Sequence, residues 1–224
     1  YNKDSSKGFV PNVKQEKVLA MVHARCVAEQ TVSSTAPPLL RLVHGLPGSG
    51  KSQVLKWLRS YFEEVWQCTA GREFVFLAPF NSMACGIGGA TIHSWGHIAF
   101  KDKRGATILP ADGPSLDDVP NMTSRCGALR WIFIDEVEAV GADILGELEQ
   151  TVSRHAPSKN PYKHAETGEV RPYGGVNVIL SGDFWQQRPP GQISLMSNPF
   201  ALKVKESARA ALSMGMFWYG DLNF

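Results

Sequence analysis

The sequence has few cysteines and little net charge, and both absences exclude classes of protein. Only four of the 224 residues are cysteine, and no two of them stand at the spacing that zinc sites use. We interpret all four as free thiols, not as a metal centre or a disulfide framework. The 23 basic and 21 acidic residues give a net charge of +2. A local basic groove would suffice for nucleic acid, so this balance neither favours nor excludes it.

Long apolar runs are also missing. No segment approaches the roughly 18 consecutive apolar residues of a membrane span. The polar N-terminus has no apolar signal-peptide core. We therefore expect an intracellular protein with no membrane partner, placed in the nucleus or a mitochondrion if the source is eukaryotic and in the cytoplasm otherwise. The chain begins with Tyr1 and not with Met, and we expect it to be a piece of a longer protein.

Short apolar segments alternate with segments of helical periodicity, a pattern typical of α/β folds. It predicts one domain over residues 1–224, a mostly parallel sheet with helices on both faces. The predicted strands are 39–44, 74–78, 131–134 and 176–180. The predicted helices begin at a cap on Asn12, cover 51–67, and follow residue 136 with Ile144, Leu145, Leu148 and Val152 on one face. The other segments are interpreted as loops (31–38, most of 101–126, 157–175), a candidate helix (203–214) and an unplaced aromatic cluster (216–219).

The strongest motif is a glycine-rich segment between the first predicted strand and the next helix. It fits G-x-x-x-x-G-K-[ST] and comprises Gly45, Leu46, Pro47, Gly48, Ser49, Gly50, Lys51 and Ser52. The glycines let backbone N–H groups approach phosphate oxygens, and the following helix adds the positive end of its dipole. Lys51 can neutralise the β- and γ-phosphates, and the Ser52 hydroxyl can coordinate Mg²⁺. The segment predicts a site for ATP and Mg²⁺.

A second motif ends the third predicted strand with two acids, Asp135 and Glu136. Ligands of α/β proteins bind at the carboxyl edge of the sheet, so we expect both acids beside the glycine-rich segment. Asp135 can hold Mg²⁺, and Glu136 can orient and deprotonate a water that attacks the γ-phosphate. A base beside Mg²⁺ favours hydrolysis over phosphate transfer to a small acceptor. The alternative role of the acids is to cap the helix that follows.

Two other functions stay open on these residues alone. A P-loop kinase would carry an arginine-rich lid, for which 101–104 is the only weak candidate. A degenerate module would bind nucleotide or DNA without turnover. Lys51, Asp135 and Glu136 are all present, which argues against such decay.

Three further segments narrow the field. They are residues 84–94 (ACGIGGATIHS), 172–175 (PYGG) and 181–186 (SGDFWQ). Together with the two motifs, their order and spacing from about residue 11 to residue 190 resemble those of Pif1-like DNA helicases, in the Pif/RecD branch of superfamily 1. The resemblance implies a RecA-like first motor domain. It also implies two partners, single-stranded or forked DNA and a second RecA-like domain that shares the ATP.

The resemblance also implies roles for individual residues. Gln15 matches the glutamine that reads the adenine edge, and Gln186 matches the one that senses the γ-phosphate and links it to DNA. Two segments match the side that touches single-stranded DNA, and they comprise Phe80, Asn81, Ser82, Thr91, His93 and Ser94. Hydroxyls, backbone donors and aromatic faces are the groups that grip single strands.

Three residues in these segments have a structural interpretation as well. Gln15 could be an exposed polar residue on the first helix, and His93 could be a half-buried structural histidine. Trp95, next to the second DNA-side segment, is interpreted as a core residue in preference to a stacking platform.

The sequence departs from the family pattern in two places. Residues 186–190 are QQRPP where the family has QLPP, which lengthens this loop by one residue. Glu138 and Ala139 stand where the family has a small residue and Met, and we interpret Glu138 as a solvated acid at a helix start. No arginine-finger motif occurs before Phe224, and such an arginine is worth about 10³–10⁵ in rate. We therefore expect this piece alone to bind ATP, to hydrolyse it poorly and not to unwind DNA.

Overall fold

A five-stranded parallel sheet organises the chain in this computed structural model, which describes residues 10–30, 37–101, 107–108, 118–201 and 207–219. The strands of the described residues are β1 (Leu40–His44), β2 (Phe74–Ala78), β3 (Ala90–Thr91), β4 (Phe100–Lys101), β5 (Thr107–Ile108), β6 (Trp131–Ile134) and β7 (Asn177–Gly182). The sheet has the order β1-β7-β6-β2-β3, and each neighbouring pair is parallel. β4 and β5 form a separate antiparallel pair.

Seven α-helices accompany the strands in the described residues. They are α1 (Val13–Gln30), α2 (Lys51–Glu64), α3 (Asn81–Gly86), α4 (Ile92–Gly96), α5 (Asp118–Cys126), α6 (Ala142–His155) and α7 (Ala208–Tyr219). Short 3₁₀ turns cover Val137–Ala139 and Pro172–Gly175. The predicted cap of α1 is confirmed, because the Asn12 side-chain oxygen accepts the N–H groups of Lys14 and Gln15 at 3.0 and 3.1 Å.

The central strands are apolar on both sides because helices cover both faces of the sheet. Along β2, Phe74, Phe76 and Ala78 pack in one core with residues of α1, α2 and α3. Val75 and Leu77 point the other way and pack in a second core with residues of α4, α5, α6 and α7. The predicted fold class is therefore confirmed: an α/β sheet, parallel throughout its five strands, with helices on both faces.

Most predicted boundaries agree with the structure to within a few residues. β2 and β6 match the predicted strands to the residue, and β1 begins one residue late. The fourth predicted strand is shifted, since β7 covers Asn177–Gly182. α2 ends at Glu64, three residues before the predicted end. The unplaced aromatic cluster forms the last turns of α7, with Phe217 buried in the core.

The prediction that most of 101–126 is loop is wrong for its last nine residues, which form α5. Met122 and Cys126, four residues apart, bury their side chains against the second core. The glycine and proline residues just before this helix hid that short apolar stripe from the sequence prediction. Residues 31–36, 102–106, 109–117 and 202–206, which include most of the candidate kinase lid, lie outside the described residues.

No helix of the described residues is long and apolar enough to cross a membrane.

Candidate nucleotide-binding site

The two predicted motifs meet at the carboxyl edge of the sheet. β1 and β6 are parallel and are separated only by β7, so the loops after these three strands lie side by side. The loop after β1 is the glycine-rich segment, and the loop after β6 carries Asp135 and Glu136. The Gly45 N–H donates to the Gly182 carbonyl at 3.2 Å, which ties the start of the glycine-rich segment to the end of β7.

The glycine-rich segment forms a tight loop that opens directly into α2. Gly48 and Gly50 have φ angles of 73° and 87°, in the left-handed region that glycine adopts without strain. α2 begins at Lys51, so the first N–H groups of that helix point toward the loop. The Lys51 ammonium donates to the Gly45 and Leu46 carbonyls at 2.6 and 3.4 Å and thereby lies across the loop. Pro47, Ser49 and Ser52 are exposed, so the outer surface of the loop is open.

Ser52 and Asp135 come together, as the two motifs predicted. The Ser52 hydroxyl donates to Asp135 Oδ2 at 3.4 Å. Oδ1 of the same carboxylate is buried and has no hydrogen-bond partner within the described ranges. Burial raises the pKa of Asp135, the Glu136 charge adds to this, and Lys51 and the nearby Ser181 hydroxyl oppose it. A buried carboxylate oxygen without a donor, next to a serine hydroxyl, fits the oxygen ligands that Mg²⁺ prefers.

Glu136 follows Asp135 in a strained conformation. Its φ of 53° lies in the left-handed region, which costs a non-glycine residue about 1–3 kcal/mol and recurs at functional sites. A 3₁₀ turn starts at the next residue. The Glu136 residue is half-buried, so a water can reach it while Asp135 stays buried. This arrangement is what a general base next to a metal ligand requires.

Glu138 lies at the same edge, and the prediction that it is a solvated acid is wrong. The residue is only 4% exposed. After Glu136 the chain forms a 3₁₀ turn in place of an α-helix start, and this turn points the Glu138 side chain inward. Burial raises the pKa of Glu138 to about 7, and a hydrogen bond to the Glu136 carboxylate adds to the shift.

The loop after β7 completes the edge. Asp183 is buried, and its carboxylate accepts the Trp185 N–H at 3.0 Å and the Gln186 side-chain amide at 3.2 Å. Although burial opposes it, these hydrogen bonds and the charges of Lys51 and His44 hold the pKa of Asp183 below its usual range. Gln186 is thereby held against Asp183, which directly follows the Gly182 that is tied to Gly45. Trp185, which the sequence did not single out, is 83% exposed.

Gln15 reaches the glycine-rich segment from α1. Its side-chain amide donates to the Gly50 carbonyl at 3.4 Å, and its oxygen accepts the Asn12 N–H at 2.9 Å. The residue is half-buried, so the alternative of a freely exposed helix residue does not hold. The contact places Gln15 beside the glycine-rich segment.

The residues expected on the DNA side follow β2 and β3. Asn81, Ser82 and Ser94 are exposed, and Phe80 is 48% exposed. Thr91 caps α4, because its hydroxyl accepts the Ser94 N–H at 3.1 Å. These residues therefore lie at the starts of α3 and α4, at the carboxyl edge of the sheet.

The two neighbouring aromatic residues differ from this exposed group. His93 is half-buried, and burial lowers its pKa. Trp95 is 5% exposed and packs in the second core, which confirms its interpretation as a core residue.

A groove of about 830 Å³ runs between the residues that follow β2 and β3 and the loop after β7. Phe80, Asn81, Thr91 and His93 lie on one side of it, and the Pro190–Ile193 stretch lies on the other. Ser82 and Ser94 are outside its lining. The groove connects the expected DNA side to the loop that carries Gln186.

Two arginines that the sequence analysis did not single out hold the backbone after α3 and near the end of α4 in place. Arg59 donates to the Ile87 carbonyl at 3.1 Å and to the Gly88 carbonyl at 2.5 Å. Arg125 donates to the Trp95 carbonyl at 2.6 Å. The partners are backbone carbonyls, two in the turn after α3 and one near the end of α4, so no residue pattern indicates these contacts.

The fold and the site together define a P-loop nucleoside triphosphatase domain of the RecA-like kind, in which a glycine-rich loop and a strand-end acid pair share one sheet edge. Residues 12–209 match the family model described as PIF1-like helicase. Because the match covers most of the chain, the protein belongs to the PIF1-like helicase family.

Several curated relatives resemble part of the chain. ATP-dependent DNA helicase RRM3 of Saccharomyces cerevisiae is 24% identical over 146 residues, 65% of this chain and 18% of the relative. ATP-dependent DNA helicase PIF1 of Homo sapiens is 29% identical over 146 residues, 65% of this chain and 19% of the relative. The chain thus spans about a fifth of the length of these relatives.

Solved structures share the fold. The Pif1 helicase from Bacteroides in complex with ADP-AlF3 and ssDNA has a TM-score of 0.52 at 24% identity, covering 81% of this chain and 34% of that one. The Pif1 helicase from Candida albicans has a TM-score of 0.55 at 21% identity, covering 96% and 39%.

Proposed function

We propose that the chain is the first motor domain of an ATP-dependent DNA helicase, which binds ATP with Mg²⁺ and hydrolyses it to move along single-stranded DNA and to separate duplexes. The observation that carries the proposal is the convergence of Lys51, the Ser52–Asp135 pair and Glu136 at one sheet edge. The names of the relatives, which are ATP-dependent DNA helicases, support it.

The site residues divide the chemistry between them. Backbone N–H groups from Gly45 to Ser52 hold the phosphates, and Lys51 neutralises the charge that develops on them. Ser52 and Asp135 hold Mg²⁺, which supplies further charge neutralisation at the phosphate oxygens. Glu136 orients the attacking water and accepts its proton.

The nucleotide-sensing residues flank this centre. Gln15, already beside Gly50, reads the adenine edge. Gln186, held by Asp183, senses the γ-phosphate from the loop after β7. Because the same loop borders the groove, a shift of Gln186 on hydrolysis would move the groove wall as well.

The DNA side is proposed to comprise Phe80, Asn81, Ser82, Thr91, His93 and Ser94. Exposed Phe80 offers a stacking face, and the polar groups that follow it offer donors to a backbone. The groove that they border leads toward Gln186. The Bacteroides relative was solved with ssDNA, which supports single-stranded or forked DNA as the partner.

A second RecA-like domain in the longer protein is proposed to complete the site, with residues 1–224 forming the first domain. The relatives are about five times as long as the matched segment, which leaves room for it. The arginine finger would come from that domain and is worth about 10³–10⁵ in rate. The 224-residue chain alone should therefore bind ATP, hydrolyse it slowly and fail to unwind DNA.

The test compares ATP hydrolysis by the full-length protein with and without single-stranded DNA, in the wild type and in Lys51→Ala. We expect DNA to stimulate the wild type and Lys51→Ala to lose hydrolysis while its circular dichroism spectrum stays unchanged. A P-loop kinase would instead respond to a small acceptor and not to DNA. Hydrolysis that survives Lys51→Ala would contradict the assignment of the phosphate site.

A further inference from the structure

Glu138 links separate parts of the site. Its Oε2 accepts the Asp183 N–H at 3.0 Å, and its carboxyl group lies beside that of Glu136, two residues earlier in the chain. Glu136 ends β6, whereas Asp183 follows β7 and itself holds Gln186. One buried side chain thus joins the proposed base to the loop of the proposed phosphate sensor.

The surroundings of Glu138 are shaped to admit it. A Cβ at Gly182 would lie 2.2 Å from Glu138 Oε2 and 2.9 Å from a methyl group of Val137, so only glycine leaves room at the end of β7. The side chain is 4% exposed, so water does not compete for its contacts. Buried hydrogen bonds to charged groups are stronger than exposed ones and fix geometry more tightly.

Position 138 is also one at which the sequence departs from the family pattern. The resemblance implies a small residue here, which could not span from Glu136 to the Asp183 N–H. The bridge is thus a feature of this chain and not of the family pattern.

We propose that Glu138 is a positioning residue, which holds Glu136 and the Asp183–Gln186 loop in register for hydrolysis. The inference rests on the proposed function, because it assigns Glu136 as the base and Gln186 as the sensor. Glu138 itself touches neither nucleotide nor water in this account. Its loss should therefore reduce the rate of the chemical step and leave ATP affinity nearly unchanged.

The experiment uses two substitutions in the full-length protein, one that keeps the length of the side chain and one that shortens it. Glu138→Gln keeps the length, an oxygen that can accept the Asp183 N–H and an N–H group that can donate to Glu136. Glu138→Asp keeps the carboxylate but is one methylene too short to make both contacts. Steady-state ATP hydrolysis, stimulated by single-stranded DNA, gives kcat and KM for each.

Glu149 provides a matched control. It is also a buried glutamate, 8% exposed, and accepts a backbone N–H, from Tyr173 at 3.1 Å. It lies on α6 and contacts the Pro172–Gly175 turn, away from the nucleotide loop. Glu149→Asp and Glu149→Gln should leave kcat within about twofold of wild type, because neither change removes a contact that forms in the transition state.

The expected result is a difference between the two lengths at position 138. Glu138→Asp should lower kcat by about 10- to 100-fold, because a small misplacement of reacting groups slows the chemical step by such factors. Its KM for ATP should stay within about twofold of wild type. Glu138→Gln should retain kcat within about threefold of wild type. Thermal unfolding should show both variants folded.

Three outcomes would overturn the inference. Wild-type kcat in Glu138→Asp would show that the bridge is not needed. A loss in Glu138→Gln as large as that in Glu138→Asp would show that a side chain of the right length and hydrogen-bonding capacity is not enough, which contradicts the positioning role. A loss confined to KM would assign Glu138 to nucleotide binding. Failure of single-stranded DNA to stimulate the wild type would instead contradict the proposed function, so the two failures are distinguishable.

Discussion

Two buried acids at the carboxyl edge of the sheet, Asp135 and Glu138, contrast with Glu29 at the amino edge. At the carboxyl edge, burial raises the pKa values of Asp135 and Glu138, and Lys51 only partly offsets the effect at Asp135. At the amino edge, burial acts on Glu29 too, but hydrogen bonds and charge from Arg130 hold its pKa below the usual range. Acids whose ionised form is unfavourable are typical of functional sites. Glu29, which is fully paired far from the site, serves the fold.

The amino-edge group, here called the Glu29 network, comprises Arg25, Glu29, Arg130, Tyr162 and Asn177. Arg130 donates twice to the Glu29 carboxylate, at 2.6 and 3.1 Å, and Asn177 donates to it at 2.7 Å. The Tyr162 ring lies 4.2 Å from the Arg130 guanidinium and 5.4 Å from that of Arg25. The network joins the end of α1 to the starts of β6 and β7. It therefore fixes the sheet at the edge opposite the site.

The largest expected effect is a loss of ATP hydrolysis caused by a change at the carboxyl edge. Glu136→Gln removes the proposed base, which should lower kcat by about 10²–10⁴ while nucleotide binding persists. Its free energy of unfolding should not fall, because the carboxylate is not part of a stabilising ion pair there. Steady-state hydrolysis and urea denaturation measure the two quantities. A Glu136→Gln variant that lost stability and kept its kcat would contradict the contrast between the two edges.

Arg130→Ala should show the opposite behaviour. It removes the main partner of the Glu29 carboxylate, which keeps Arg25 and Asn177, so the loss should stay below the roughly 3–5 kcal/mol that an unpaired buried charge costs. Urea denaturation should show this loss, and kcat below the unfolding temperature should stay near wild type. The control is Arg72→Ala, because Arg72 pairs with Glu73 at 3.2 Å but is 71% exposed. That change should stay within about 0.5 kcal/mol.

The pH dependence of stability should differ in sign between the edges. The folded protein keeps a proton on Glu138 up to about pH 7, whereas the unfolded chain loses it near 4.5. The stability that the Glu138 carboxyl group contributes is thus fully present below about pH 4.5. It is lost as the pH rises from there through about 7. Glu138→Gln should therefore raise the melting temperature, relative to wild type, more at pH 8 than at pH 5.

Glu29 should behave in the opposite way. Its lowered pKa gives stability that is present above the ordinary value of 4.5 and lost as pH falls below it. Glu29→Gln should therefore lower the melting temperature, relative to wild type, more at pH 7 than at pH 4. The same pH trend in both variants would contradict the contrast between the edges.

The smallest effect is expected for Tyr162→Phe. The change removes the hydroxyl that donates to the Glu29 carbonyl at 3.2 Å but keeps the ring against the two arginines. The loss should be about 1 kcal/mol, the typical worth of one hydrogen bond. Denaturation would detect it, and no change in kcat should accompany it. A loss several times larger would mean that the hydroxyl organises the network.

What could be predicted from sequence depends on how local the signal is. β2 and β6 were predicted to the residue because each is a short apolar run that ends at a proline or an acid pair. The glycine-rich loop and Asp135 were predictable because their chemistry requires fixed neighbours along the chain. These local signals were enough for the sheet and for the centre of the site.

The rest depended on contacts between distant residues. Glu138 is buried because Gly182, 44 residues further on, leaves space for it. The Glu29 network joins residues from α1 to β7, and on α1 alone Arg25 and Glu29 look like an ordinary solvated pair. The groove likewise combines Phe80 with the loop after Pro189. No spacing rule connects such residues before the fold is known.

Calorimetric titration of ATP, with Mg²⁺ and with EDTA, tests the central claim most directly in the wild type, Lys51→Ala and Asp135→Asn. The account predicts that Mg²⁺ tightens ATP binding to the wild type, that Asp135→Asn abolishes this tightening, and that Lys51→Ala binds ATP weakly in both conditions. ATP affinity that is the same in all three proteins, with or without Mg²⁺, would contradict it.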